Sequence, residues 1–126
     1  MQIVYLSIVG NTRRFVERLG MPAIELSDIT VYTTMDQPYI IIAPTYEIEA
    51  TDIINDFLEH EDNLDFCRGV VGAGNRNFND LYCFTAEDLS MDYDIPLLHR
   101  FEIQGSDYDL QRVKEIVAEI ENTNYV

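Results

Sequence analysis

Positive charge is scarce in this sequence: 8 Lys and Arg stand against 23 Asp and Glu, for a formal net charge of −15. A surface so acidic repels phosphate backbones and anionic headgroups, so neither nucleic acid nor membrane is expected as a partner. It favours a protein with a basic docking face, or simply keeps the chain soluble. Cysteine is nearly absent. Cys67 and Cys83 show no CxxC spacing and read as free cytosolic thiols, a disulfide or redox pair being the alternative. No apolar run approaches the ~20 residues of a bilayer span. Met1-Gln2 leads straight into apolar residues with no basic segment ahead of them, so no signal peptide is expected and the predicted location is cytoplasmic. His60 and His99 have no ligand spacing around them, which makes a surface and a strand position more natural than metal ligation.

What is present reads as one domain over residues 1–126, with 47% hydrophobic residues and no linker, repeat or low-complexity tract. Short apolar runs alternate with helical patterns. Ile3 to Leu6 predicts a buried strand, and Thr12 to Leu19 a helix with Phe15, Val16 and Leu19 on one face, ended by Gly20 and Pro22. Ala23 to Leu26 is a weaker strand, and Tyr39 to Ala43, with three consecutive isoleucines, a strong one. Thr51 or Asp52 would cap a helix carrying Ile53, Ile54, Phe57 and Leu58. A strand near Phe66 to Gly72, a helix over Leu81 to Tyr93 and a strand over Pro96 to Ile103 follow. Leu110, Val113, Ile116, Val117 and Ile120 then mark a final amphipathic helix. This alternation predicts an α/β fold: a flavodoxin-like, doubly wound, five-stranded parallel sheet of order 2-1-3-4-5 with helices on both faces.

In such a sheet a ligand sits beyond the carboxyl ends of the strands, where the strand order reverses. Three loops fall there. Ser7-Ile8-Val9-Gly10-Asn11-Thr12 opens a helix, and its hydroxyls, glycine and exposed amides suit a phosphate; a plain turn with a capping Thr is the alternative. Arg13 and Arg14 follow at the positive end of the helix dipole, a costly place for cations unless an anion sits beside them. Pro44-Thr45-Tyr46-Glu47 offers an aromatic for a flat ring and a hydroxyl for the phosphate, or only a surface tyrosine. Gly72-Ala73-Gly74-Asn75-Arg76-Asn77-Phe78-Asn79, with Tyr82 beyond it, is rich in residues that tolerate positive φ and can turn polar backbone toward a heterocycle. Phe78 and Tyr82 either cover that ring or pack beneath the loop. Together the loops describe a mononucleotide site, with FMN as the cofactor. A receiver domain of the same fold would want an acidic cluster where Ser7-Ile8 stands and an Asp where Pro44-Thr45 stands.

Ser7 to Thr12 followed by Gly74-Asn75-Arg76-Asn77-Phe78 resembles the NrdI family, flavodoxin-like activators of ribonucleotide reductase. Asp56-Phe57-Leu58-Glu59, Tyr93-Asp94-Ile95-Pro96 and Phe101-Glu102-Ile103-Gln104-Gly105-Ser106 extend the likeness over most of the chain. The resemblance implies noncovalent FMN, electrons from a flavin-reducing donor protein, and docking on the ribonucleotide reductase small subunit of a class Ib-type enzyme. Superoxide made from reduced flavin and oxygen would then reach that subunit's metal site, or support tyrosine modification in a metal-free variant. One departure concerns Thr45-Tyr46-Glu47-Ile48-Glu49, which lacks the glycine that bacillus-type members carry after the third strand. A peptide flip that stabilises one-electron-reduced flavin is harder without it, and Glu47 and Glu49 add unfavourable negative charge. Asn79 stands where a glycine often follows the aromatic, and tolerates the same backbone. A general flavodoxin carrier and a flavodoxin-shaped binding module without cofactor are the competing readings.

Overall fold

The computed structural model describes residues 1–45, 48–74 and 83–123, with backbone only for 48–51 and 84. The elements run β1 (Gln2–Tyr5), α1 (Asn11–Leu19), β2 (Ala23–Glu25), β3 (Tyr39–Pro44), α2 (Ile48–Glu59), α3 (Asn63–Phe66), β4 (Cys67–Gly74), α4 (Phe84–Tyr93), β5 (Leu97–Glu102) and α5 (Asp107–Thr123). Every pairing is parallel and the strand order is β2-β1-β3-β4-β5, the doubly wound arrangement expected from the alternation.

The period-2 geometry of a strand sorts the apolar residues onto two faces. Ile3 and Tyr5 of β1, Ile40 and Ile42 of β3, and Val71 and Ala73 of β4 pack against Phe15, Val16 and Leu19 of α1 and Val113 and Val117 of α5. Val4, Tyr39, Ile41, Ala43 and Val70 face the other way, onto Ile54, Phe57 and Leu58 of α2 and Ala86 and Leu89 of α4. Burial on both faces explains why β3 is continuously apolar, with Tyr39 through Ala43 fully covered.

Several boundaries differ from the sequence expectation, among them β4, which runs on to Gly74 and takes Gly72 and Ala73 into the strand. Helix α2 starts at Ile48, ahead of both Thr51 and Asp52. Phe66 ends the short α3 and does not open β4. Helix α1 is capped by Gly10, which stands at φ 92°, and Thr12 lies inside the first turn with its side chain buried.

Candidate functional site

Parallel pairing brings all the strand carboxyl ends to one edge. Tyr5 lies beside Ile42 and Glu25, Pro44 beside Ala73, and Gly74 beside Glu102. The chain leaves β1 to one side for β2 and returns on the other for β3, so the reversal of strand order lies between β1 and β3. The loop after β1, the end of β3 and the end of β4 are consecutive along that edge.

The loop after β1 is shaped by Gly10. At φ 92° its backbone takes a turn that side chains rarely adopt, and a Cβ there would meet only the Arg14 guanidinium, at 3.7 Å. The first helical bond runs from the Arg14 N–H to the Gly10 carbonyl at 3.1 Å, and the Arg13 N–H donates to Ser7 Oγ at 3.2 Å. That leaves the Asn11 and Thr12 amides without intrahelical acceptors. Gly10 offers no side-chain cap, and the first turn contains no acidic residue. The result is a concentrated patch of donor and dipole at the sheet edge, suited to an anion. Ile8 and Val9 are exposed around it.

Pro44 closes β3, buried, and Thr45 follows with its hydroxyl donating to the Ala73 carbonyl at 3.0 Å. Thr45 therefore clamps the ends of β3 and β4 together. Gly74 is half-buried, and its carbonyl accepts from Ile103 N–H at 2.8 Å. Ile103 itself stands at φ 56°, an uncommon conformation for a β-branched residue, directly after β5. Tyr46, Glu47, Asn75, Asn77, Phe78 and Tyr82 lie outside the described residues, as does the Glu49 side chain. Ser7, Ile8, Val9, Gly10, Asn11, Thr12, Pro44, Thr45 and Gly74 are all at or beside the one edge.

The two arginines differ. Arg13 grips Glu25 at the end of β2 with both prongs, Nε to Oε1 at 2.7 Å and Nη2 to Oε2 at 2.8 Å, while Tyr5 Oη donates to the same carboxylate at 2.9 Å. The Arg13 hydrogen bonds hold the Glu25 carboxyl below its usual range against the opposing effect of burial. Among the described residues, Arg14 has only the Asn11 side-chain oxygen, at 3.4 Å. Half of the charge that the sequence placed at this helix start thus has a protein partner already. No spacing or motif in the sequence points to that pairing.

Residues 3–115 match the family described as NrdI flavodoxin-like. The chain belongs to that NrdI family. Protein NrdI of Mycoplasma genitalium is 35% identical, over 97% of this chain and 86% of that protein. Protein NrdI of Rhodococcus erythropolis is 37% identical over 95% and 84%, and that of Escherichia coli 36% over 94% and 92%. Among solved structures, a short-chain flavodoxin associated with a bacterial microcompartment superposes with a TM-score of 0.68 at 16% identity, covering 97% of this chain and 96% of that one. That likeness establishes the flavodoxin-like fold. Among the described residues of this NrdI-family chain, no group of three His, Cys, Asp or Glu could hold a metal, and no helix is long and apolar enough to cross a membrane. His99 lies on β5 with Nε2 2.8 Å from Asp109, and His60 contacts Thr34 Oγ1 at 3.2 Å.

Proposed function

We propose that this chain, acting as a single domain, binds one FMN noncovalently at the carboxyl edge of its sheet and activates the radical-generating small subunit of a class Ib-type ribonucleotide reductase. When bound, FMN would supply the redox chemistry, the one-electron reduction of dioxygen to superoxide with electrons from a reducing protein. The chain's own work is to bind, orient and expose that group.

The observation that carries the reading is the start of α1, where the capping Gly10 supplies no side chain. The Asn11 and Thr12 amides, the Gly10 turn and the Arg14 guanidinium offer donors and positive potential, and no protein carboxylate in that first turn competes for them. Residues of this type fit a phosphomonoester. Ser7, Ile8, Val9, Gly10, Asn11 and Thr12 would hold the phosphate. Pro44, Thr45, Tyr46 and Glu47 on one side, and Gly74, Asn75, Asn77, Phe78 and Tyr82 on the other, would hold the ring. The Thr45–Ala73 bond fixes the separation of those two sides.

The partner face follows from charge. Helix α2 carries Glu49, Asp52, Asp56 and Glu59, and α4 carries Glu87, Asp88 and Asp92, with no Lys or Arg in either. Their field is felt at Tyr93, whose hydroxyl is pushed up to about 12 by burial and then by Glu59, Asp92, Asp52 and Asp56. Such a face speeds encounter with a basic partner and repels acidic ones.

The test is reconstitution. Reduced, FMN-loaded protein, dioxygen and the metal-loaded small subunit are mixed, and the tyrosyl radical is followed by electron paramagnetic resonance. Radical that forms only when this protein is present supports the role. Equal radical in its absence contradicts it.

A further inference from the structure

We propose that Thr45 is a positioning residue for the flavin ring, acting through Ala73, and that its hydroxyl does not hold the phosphate. The proposal rests on the FMN reading above and deepens it at the end of β3.

By type, a threonine directly after a strand of this sheet is a candidate phosphate donor. Here the residue is nine-tenths buried, and its hydroxyl donates to the Ala73 carbonyl at 3.0 Å. A hydroxyl has one proton, so none is left for an anion. Pro44, in register with Ala73, brings no N–H to the ladder. The next residue ties the two strand ends together from its side chain.

Successive carbonyls of a strand point to opposite neighbours, because the backbone pairs on both sides in turn. Ala73 turns its carbonyl toward β3, where Thr45 holds it. Gly74 turns its own toward β5, where the Ile103 N–H holds it at 2.8 Å. The end of β4 is thus fixed from both sides, just ahead of the loop expected to receive the ring. The second tie has a cost, since Ile103 is β-branched and stands at φ 56°. Arg18 steadies that turn, its Nη1 3.1 Å from the carbonyls of Gln104 and of Gly105. A strand end held in this way keeps its spacing from β3 before any ligand arrives. That is what a rigid planar ring requires of the two segments that flank it.

The test titrates the apo chain with FMN and with riboflavin, which lacks the phosphate. Thr45→Val keeps the shape of the side chain and removes the donor to Ala73. It is expected to weaken both flavins alike, by about 10-fold, the scale of one lost hydrogen bond. The visible absorption of FMN bound to Thr45→Val is expected to move toward that of free FMN. Thr45→Ser, which keeps the hydroxyl, is expected to restore both affinity and spectrum. FMN weakened alone, with riboflavin unchanged, would return Thr45 to the phosphate and overturn the proposal. Equal weakening with an unchanged spectrum would place the effect on the ribityl chain and overturn the ring assignment. A folded Thr45→Val that binds both flavins as the parent does, differing only in its thermal melt, would reduce Thr45 to a structural part. Should Thr45→Val fail to fold, Thr45→Ser carries the test: parent-like binding and spectrum support the hydroxyl's role, and loss of either contradicts it. All these adverse outcomes leave the FMN reading standing. A parent that binds neither flavin overturns that reading and this proposal with it.

Discussion

At Gly105 the backbone stands at φ 73°, and a Cβ there would lie 2.6 Å from Phe15 Cδ2. Phe15 has no room to give, because its ring stacks on Phe101 with centroids 4.0 Å apart. Gly105→Ala combines a disfavoured dihedral with overpacking and is expected to cost about 2–4 kcal/mol in a urea melt. Thr85 presents the opposite case. Its Oγ1 is buried with no hydrogen-bond partner among the described residues, so Thr85→Val removes an unsatisfied group at constant shape and is expected to raise stability by about 1 kcal/mol. Asp109 closes a capping box at the start of α5, accepting from the Ser106 N–H at 2.8 Å while its own N–H donates to Ser106 Oγ at 3.2 Å. Burial opposes its ionisation, but the Ser106 N–H, His99 and the Ser106 hydroxyl outweigh it and hold the carboxyl below its ordinary value. A depressed carboxyl stabilises the fold above its unfolded pKa of about 4, and that contribution disappears as pH falls through the lower folded value. The stability gap between the parent and Asp109→Asn should therefore be flat just below pH 5 and close progressively below about 4. A gap that widened on acidification would contradict the assignment. Little of this was legible beforehand. Glycine, Ser106 and Asp109 are visible as punctuation, but the grip of Arg13 on Glu25 exists only because β2 pairs with β1 and sets Glu25 beside Tyr5.

Asn63 sits on α3, fully buried, and ties three elements together. Its Oδ1 accepts from Met35 N–H at 2.7 Å, its Nδ2 donates to the Thr33 and Phe57 carbonyls at 2.9 Å each, and its own carbonyl accepts from Tyr39 Oη at 2.7 Å. The long connection between β2 and β3 is thereby pinned to the end of α2. Asn63→Ala strands several buried polar groups and is expected to cost about 3 kcal/mol or more, with loss of hydrogen-exchange protection at Met35. Unchanged protection at Met35 would show that the connection is held by other contacts. The major elements were readable because each carries a clean period: two faces of isoleucine and valine in the strands, and one apolar stripe in α1 and α5. Helix α3, at four residues, is too short for any period to register. The early start of α2 escaped because Thr51 and Asp52 are good capping residues by type, and tertiary placement at the edge of the sheet overrode them. The candidate site reads in the sequence as three loops of unusual composition, of which Tyr46, Glu47, Asn75, Asn77, Phe78 and Tyr82 lie outside the described residues. Which hydroxyls and charges remain available there is not legible, since Thr45 is committed to Ala73 and Arg13 to Glu25 by contacts between elements distant in sequence.

Over the whole molecule, the net charge of −15 is unevenly spread. Arg13, Arg14 and Arg18 cluster on α1, whereas α2 and α4 carry carboxylates alone. Repulsion within the acidic side opposes compaction, and raising salt from 0.1 M toward 1 M shortens the screening length from about 10 Å to about 3 Å. The melting temperature of the apo protein is expected to rise with salt, and a flat or falling response would mean that the carboxylates are already balanced locally. On the proposed reading, the same charge map would send a basic partner to the acidic side and leave the start of α1 for an anion. Amide resonances report directly on whether the loops at the sheet edge form one site. In a nitrogen-15 NMR titration of the apo chain with FMN, Gly10, Asn11, Thr12, Thr45 and Gly74 are expected to shift together along a single binding curve. Shifts confined to other faces, or separate curves for the loop after β1 and the end of β4, would contradict a common flavin site.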